Sequence, residues 1–109
     1  MVKIRFFVRI FALMGLYNLL LPLKLDWLPV YSCDSELRIG QRVEVNFSGR
    51  DYTAVVIRKS EETPDRGYRV LEVGTVETGL ADISERELKL WKFISEYYLC
   101  TLGEVYMAA

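Results

Sequence analysis

The strongest constraint in this sequence is a change of hydrophobic period. From Arg42 to Phe47 apolar residues recur at every second position, and from Ser84 onward they recur at every third or fourth. Val43, Val45 and Phe47 alternate with Arg42, Glu44 and Asn46, a turn segment Ser48-Gly49-Arg50-Asp51 follows, and residues 52–59 make a second extended run. This predicts a β-hairpin, because alternation puts one face of each strand on a core and glycine supplies the backbone freedom of a tight turn. After a polar loop at 60–67, holding Pro64, Asp65 and Gly67, a third run at 68–76 is rich in valine and again alternates.

Earlier in the chain, residues 17–21 form a short apolar run that Pro22 closes, since proline cannot donate to a sheet ladder. Residues 22–40 read as an ordered connection with Pro22, Pro29, Asp34, Ser35 and Gly40, anchored by Trp27 and Leu28. At the N-terminus Val2, Ile4, Phe6, Val8 and Ile10 alternate with Lys3, Arg5, Phe7 and Arg9, the pattern of a strand with one basic face. The competing reading is a secretory signal. Arg9 inside the apolar stretch and the absence of a small-residue cleavage motif after it speak for the strand. The uncharged run at 10–23 is 14 residues long and includes Asn18 and Pro22. That is short of the roughly 18 apolar residues a membrane span needs.

Beyond Gly79 the chemistry turns helical. Ser84-Glu85-Arg86-Glu87 is a capping box, in which the Ser84 hydroxyl accepts from the Glu87 backbone and the Glu87 carboxylate reaches back. Leu88, Trp91, Ile94 and Tyr98 then recur on one face, with Leu90, Phe93 and Tyr97 widening the stripe and Lys89, Lys92 and Glu96 on the wetter side. Thr101 and Glu104 repeat the cap before a short apolar segment at 105–109, predicting a second, short helix. The expected fold is therefore α+β and mainly β: a small OB-like β-barrel or curved antiparallel sheet, followed by a capped helix and a second short one.

A chain of 109 residues, 51% hydrophobic and 27% charged, suits a single domain with its own core. It has no histidine, which excludes Ser-His-Asp and Cys-His nucleophiles and histidine-based zinc sites by count. Cys33 and Cys100 make no C-x-x-C pair and read as reduced, buried or half-buried thiols, in keeping with a cytoplasmic protein, with a disulfide between them as the competing reading. No phosphate-cradling glycine motif is present, and Glu61-Glu62 and Glu85/Glu87 read as solvated carboxylates. No catalytic residue, metal site or cofactor is expected, and no membrane association.

The formal charge of −1 divides unevenly. Residues 1–69 carry 11 basic and 8 acidic side chains, net +3, while residues 70–109 carry 3 and 7, net −4. A basic β surface bearing aromatic rings suits single-stranded nucleic acid, whose phosphates need cations and whose bases stack on flat rings. The candidates are Tyr17, Phe47, Tyr52 and Tyr68 with Arg42, Arg50, Arg58, Lys59 and Arg69. Residues of these types also serve as ordinary core aromatics and solvated strand charges, so composition leaves both readings open.

The order of segments carries a family resemblance. Residues Tyr17-Asn18-Leu19-Leu20-Leu21-Pro22, then Ile39-Gly40-Gln41-Arg42-Val43-Glu44-Val45-Asn46-Phe47-Ser48-Gly49, then Tyr52-Thr53-Ala54-Val55-Val56 resemble the start of the bacterial primosomal protein N′ (PriA) family. At the other end Ile94-Ser95-Glu96-Tyr97-Tyr98-Leu99-Cys100-Thr101-Leu102-Gly103-Glu104-Val105-Tyr106-Met107-Ala108-Ala109 is similar to that family's "aeYYlct-GdVy-aalP" segment, particularly in its Bacteroidetes-like form.

The resemblance implies a non-catalytic 3′-DNA-binding domain that recognises the 3′ end of the nascent leading strand at a stalled fork. It would be the N-terminal module of a longer ATP-dependent helicase, would work with other primosome proteins, and is expected to be monomeric. It also implies an end-binding pocket. Tyr17 and Asn18 match the family's aromatic-acidic pair, and Phe47 with Ser48-Gly49 matches its "PFG" turn with a one-residue shift. Arg69 is the nearest substitute for a lysine that aligns with Leu71, and Arg42, Arg50, Arg58 and Lys59 are the candidates for backbone phosphates. In such a pocket an aromatic wall would hold the base, a side-chain oxygen would accept from the 3′-hydroxyl, and glycine would allow close approach. Asn18 departs from the usual acid, giving a neutral acceptor that weakens strict 3′-hydroxyl selection. The alternative is a β-barrel protein-interaction module that has kept the fold and lost the pocket, working through the aromatic helix face.

Overall fold

The computed structural model describes residues 15–60, 71–76 and 79–109. Its elements are β1 (Gly15–Leu20), β2 (Val30–Cys33), β3 (Arg42–Phe47), β4 (Arg50–Lys59), β5 (Leu71–Glu72), β6 (Thr75–Val76), α1 (Glu85–Tyr98) and α2 (Leu102–Ala108). The strands make one six-stranded sheet in the order β5-β2-β1-β4-β3-β6. All pairings are antiparallel except β2 with β5.

The ten-residue β4 is the spine of this sheet. Its first half pairs with β3 and its second half with β1, so that Val55 lies opposite both Arg42 and Leu20. Asn18 pairs with Arg58 but Leu19 pairs with Val56, which leaves Ile57 as an extra residue. Such a bulge bends its strand and increases the local twist. The resulting curl is tight. β5 and β6 lie at opposite ends of the strand order, yet only Val73 and Gly74 separate them in the chain. Val73 N–H donates to Ser32 O on β2 and Gly74 N–H donates to Glu44 O on β3, each at 2.9 Å. One short segment thus ties both margins of a half-barrel, giving an α+β OB-like fold.

Alternation sorts the apolar side chains into two cores. Tyr17, Leu19, Tyr31, Val43, Val45, Ala54 and Val56 fill the concave side, and Leu20 and Val55 point the other way against Ile83, Trp91 and Val105 from the helical end. Both helices start as the sequence predicts. Glu87 N–H donates to Ser84 Oγ at 3.1 Å, and Glu104 N–H donates to Thr101 Oγ1 at 3.3 Å. Trp91 stacks on Tyr106 with ring centroids 5.4 Å apart, and the Tyr106 hydroxyl donates to Thr53 O at 2.8 Å, pinning α2 to β4. Just before β3, Gly40 N–H donates to Val56 O and Gly40 O accepts from Ile83 N–H, both at 2.7 Å. Cys33 is a buried free thiol in the concave core and Cys100 a half-buried free thiol on the helical side.

Four expectations need correction. The hairpin turn is shorter than Ser48–Asp51: Phe47 pairs directly with Arg50, leaving a two-residue loop. Ser48 and Gly49 have φ of 51° and 82°, the backbone of a type I′ turn, which matches the right-handed twist of the strands it joins. The connection at 22–40 contains β2, four residues too short to announce themselves by period. The run at 68–76 is not one strand, because between Glu72 and Thr75 it passes from one sheet margin to the other. On α1 only Trp91 is buried, with Leu88 and Ile94 half-buried, while Leu90, Phe93, Tyr97 and Tyr98 are exposed. One stripe joins the core formed with Leu20, Val55, Ile83 and Val105, and among the described residues nothing covers the wider arc. The expected strand at 2–10 and the residues Tyr68 and Arg69 lie outside the described residues.

Candidate nucleic-acid interface

The bulge that bends β4 also creates the first group of candidate residues. Opposed residues of an antiparallel pair share a face, so Asn18 and Arg58 meet across the β1–β4 ladder. Arg58 Nε donates to Asn18 Oδ1 at 3.2 Å, and Asn18 Nδ2 donates to Leu28 O at 3.2 Å. These two bonds occupy both ends of the carboxamide and orient it. Asn18 is only 8% exposed, whereas the Arg58 and Lys59 side chains project into solvent. Removing the amide as Asn18→Ala is expected to destabilise the fold by about 1–3 kcal/mol, since it strands a carbonyl and a guanidinium nitrogen. Urea denaturation measures this. A change within error would mean that neither bond contributes.

Tyr17 lies on the opposite face from Asn18. It is 3% exposed, belongs to the concave core, and its hydroxyl accepts from Leu37 N–H at 3.1 Å. Its ring thus supports the corner from beneath and offers no open face to a base. Tyr52 is likewise packed against the concave core.

The second group sits at the other end of β4, at the hairpin tip. Ser48, Gly49 and Arg50 are exposed, and among the described residues a side chain at Gly49 would meet nothing within 4 Å. Phe47 is half-buried against the concave core and shares a rung with Arg50. Arg50 and Arg58 are separated by up to roughly 26 Å of strand at about 3.3 Å per residue. The candidates therefore form two clusters, an Asn18/Arg58/Lys59 corner and a Phe47/Ser48/Gly49/Arg50 tip. Arg42 belongs to neither. It lies opposite Val55 and near Tyr106, and its Nε is buried without a hydrogen-bond partner among the described residues. Burial pushes the Tyr106 phenol up from its ordinary value, against the opposing pull of the Arg42 cation.

What joins the two clusters is Trp27, an apolar anchor by sequence. Trp27 is 50% exposed, and its ring lies 6.2 Å from that of Phe47 at a 54° tilt. The next residue, Leu28, gives its carbonyl to Asn18. The connection between β1 and β2 thus touches the corner with its backbone and the tip with its indole. The available signal was the setting of Trp27: it follows Lys24 and Asp26 in a loop bounded by Pro22 and Pro29. Among the described residues no cluster of side chains could hold a metal ion, and no helix is long and apolar enough to cross a membrane.

A half-barrel followed by two C-terminal helices, with cations at both ends of its longest strand and an aromatic pair at one tip, defines a small OB-like domain. No match to a curated protein was found. The family model of the PriA 3′-DNA-binding domain (3′BD) matches residues 18–109, and the chain belongs to that family.

Proposed function

We propose that this domain recognises single-stranded 3′ ends of nascent leading-strand DNA at stalled forks, as the non-catalytic end-reading module of a longer cytoplasmic replication-restart helicase. The family match over residues 18–109 carries this reading. The corner at Asn18, Arg58 and Lys59 and the tip at Phe47, Ser48, Gly49 and Arg50 are the proposed contact residues, with Tyr17 as support and Arg69 as a further cation. Arg42, which is half-buried, is proposed as a further contact to a backbone phosphate. Phosphates position such a complex, and the strand terminus gives it selectivity.

Fluorescence anisotropy on forked oligonucleotides tests the reading. Binding should be tightest where the leading arm ends in a free 3′-hydroxyl at the junction. It should weaken with a 3′-phosphate and fall as salt rises, because phosphate contacts release counterions. Equal affinity for the free and blocked ends would overturn end recognition.

A protein-interaction module that has lost DNA-end binding is the second reading. Phe93 and Tyr97, 62% and 69% exposed with rings 6.0 Å apart, favour it. Serine at both positions should then abolish partner capture, whereas on the DNA-binding reading it leaves the anisotropy titration unchanged.

A further inference from the structure

We infer that Trp27 is a base-stacking platform for single-stranded DNA, held in readiness by Phe47 and by the Asn18–Leu28 bond. The inference rests on the DNA-binding reading and extends it to a residue outside the proposed pocket.

An aromatic ring that stacks on a base must meet two requirements. One face has to be open, and the ring has to be fixed beforehand, so that binding does not carry the full cost of ordering it. Trp27 meets both. Half of its surface is exposed, in contrast to Trp91, which is 6% exposed beneath α2. Phe47 braces the indole from the side, and Phe47 is itself seated against the concave core. The backbone that follows is tied down twice in succession, by Asn18 Nδ2 to Leu28 O at 3.2 Å and by Leu19 N–H to Pro29 O at 2.9 Å. Before the tryptophan, Leu25 N–H donates to Leu23 O at 2.9 Å, which folds the loop back on itself.

The charge around the ring suits the same ligand. Arg50 shares the Phe47 rung and its side chain is exposed, so a cation lies one residue's width beyond the aromatic pair. Lys24, exposed three positions before Trp27, acts on the Glu104 carboxylate of α2, which leaves Arg50 as the cation for the ligand. Asp26 is exposed beside the tryptophan, and Asp51 bonds Asn46 on the other face of the hairpin. A base on the indole with its phosphate toward Arg50 fits this order of groups. Asn18 then acts as a positioning residue: its Nδ2 supplies a donor that a carboxylate lacks, and it holds the loop that carries the ring.

The chain has two tryptophans and one is buried, which makes the test direct. The 109-residue protein is titrated with oligothymidylate while its intrinsic fluorescence and the anisotropy of labelled DNA are followed together. Saturable quenching that tracks the anisotropy is expected, retained in Trp91→Phe and lost in Trp27→Ala. The loss of one stacked base should weaken binding about 5- to 150-fold. Trp27→Phe should recover part of that loss without restoring the quenching. Because Trp27 is half-exposed, circular dichroism and the melting curve of the alanine variant should match the parent. DNA binding with unchanged tryptophan emission, or with wild-type affinity in Trp27→Ala, would overturn the platform and leave the DNA-binding reading standing. No anisotropy change with the parent protein at low salt would sink both.

Discussion

Gly40→Ala is expected to destabilise this domain by about 3–5 kcal/mol, at the upper end for a single substitution. The backbone at Gly40 has φ of +88°, where a Cβ meets the following carbonyl. More decisively, that Cβ would stand 1.9 Å from the Ile83 carbonyl oxygen, which is backbone and cannot swing aside. Relief requires the 79–84 segment to move off the sheet. That movement breaks the 2.7 Å bond between Ile83 N–H and Gly40 O, and it lifts Ile83 out of the core it shares with Leu20, Val55 and Trp91. Gly49→Ala is the matched control. Its φ is +82° but its Cβ meets nothing within 4 Å, so only the conformational cost of about 1–2 kcal/mol remains. Urea titrations of the two variants separate the effects, and equal destabilisation would show that the close approach to Ile83 is immaterial.

Charge removal at both ends of β4 should have the largest effect on binding. The triple substitution Arg50→Gln, Arg58→Gln and Lys59→Gln is expected to weaken single-stranded DNA binding roughly 100-fold at low salt. It should also flatten the slope of log affinity against log salt by about 2, at close to 0.7 per single-strand phosphate contact. Glutamine at position 58 keeps a donor in reach of Asn18 Oδ1, so the variant should fold as the parent does. All three side chains are exposed and none is paired with a carboxylate in the ion pairs found among the described residues. A triple variant with unaltered salt dependence would remove these residues from the DNA path.

Local chemistry was legible in the sequence, and long-range register was not. The capping boxes at Ser84 and Thr101, the β3–β4 hairpin and the α+β order are all set by residues within a few positions of each other. The Asn18–Arg58 bond joins residues 40 apart, and it exists because an extra residue, Ile57, shifts the ladder between them. No alternation pattern encodes that shift. Tyr17 shows the same limit from the other side. Its neighbour Asn18 turns outward to the corner while Tyr17 turns inward, so matching the pair to a family motif gives no sign that the ring is enclosed. The exposed arc of α1 was hidden for a different reason. Period predicts which residues share a face, but how much of that face is covered depends on the elements packed against it, here chiefly the short α2 through Trp91 and Tyr106.

The bridge formed by Val73 and Gly74 has a consequence for self-association. An open sheet presents unpaired amides and carbonyls along its outermost strands, a template on which other chains can add. Here β2 and β3 are each shielded by two rungs of the same short segment. Detaching 71–76 would uncover both templates at once, so this clasp governs when the domain becomes prone to aggregate. Hydrogen exchange at the Val73 and Gly74 amides should therefore be a sensitive early indicator of that hazard.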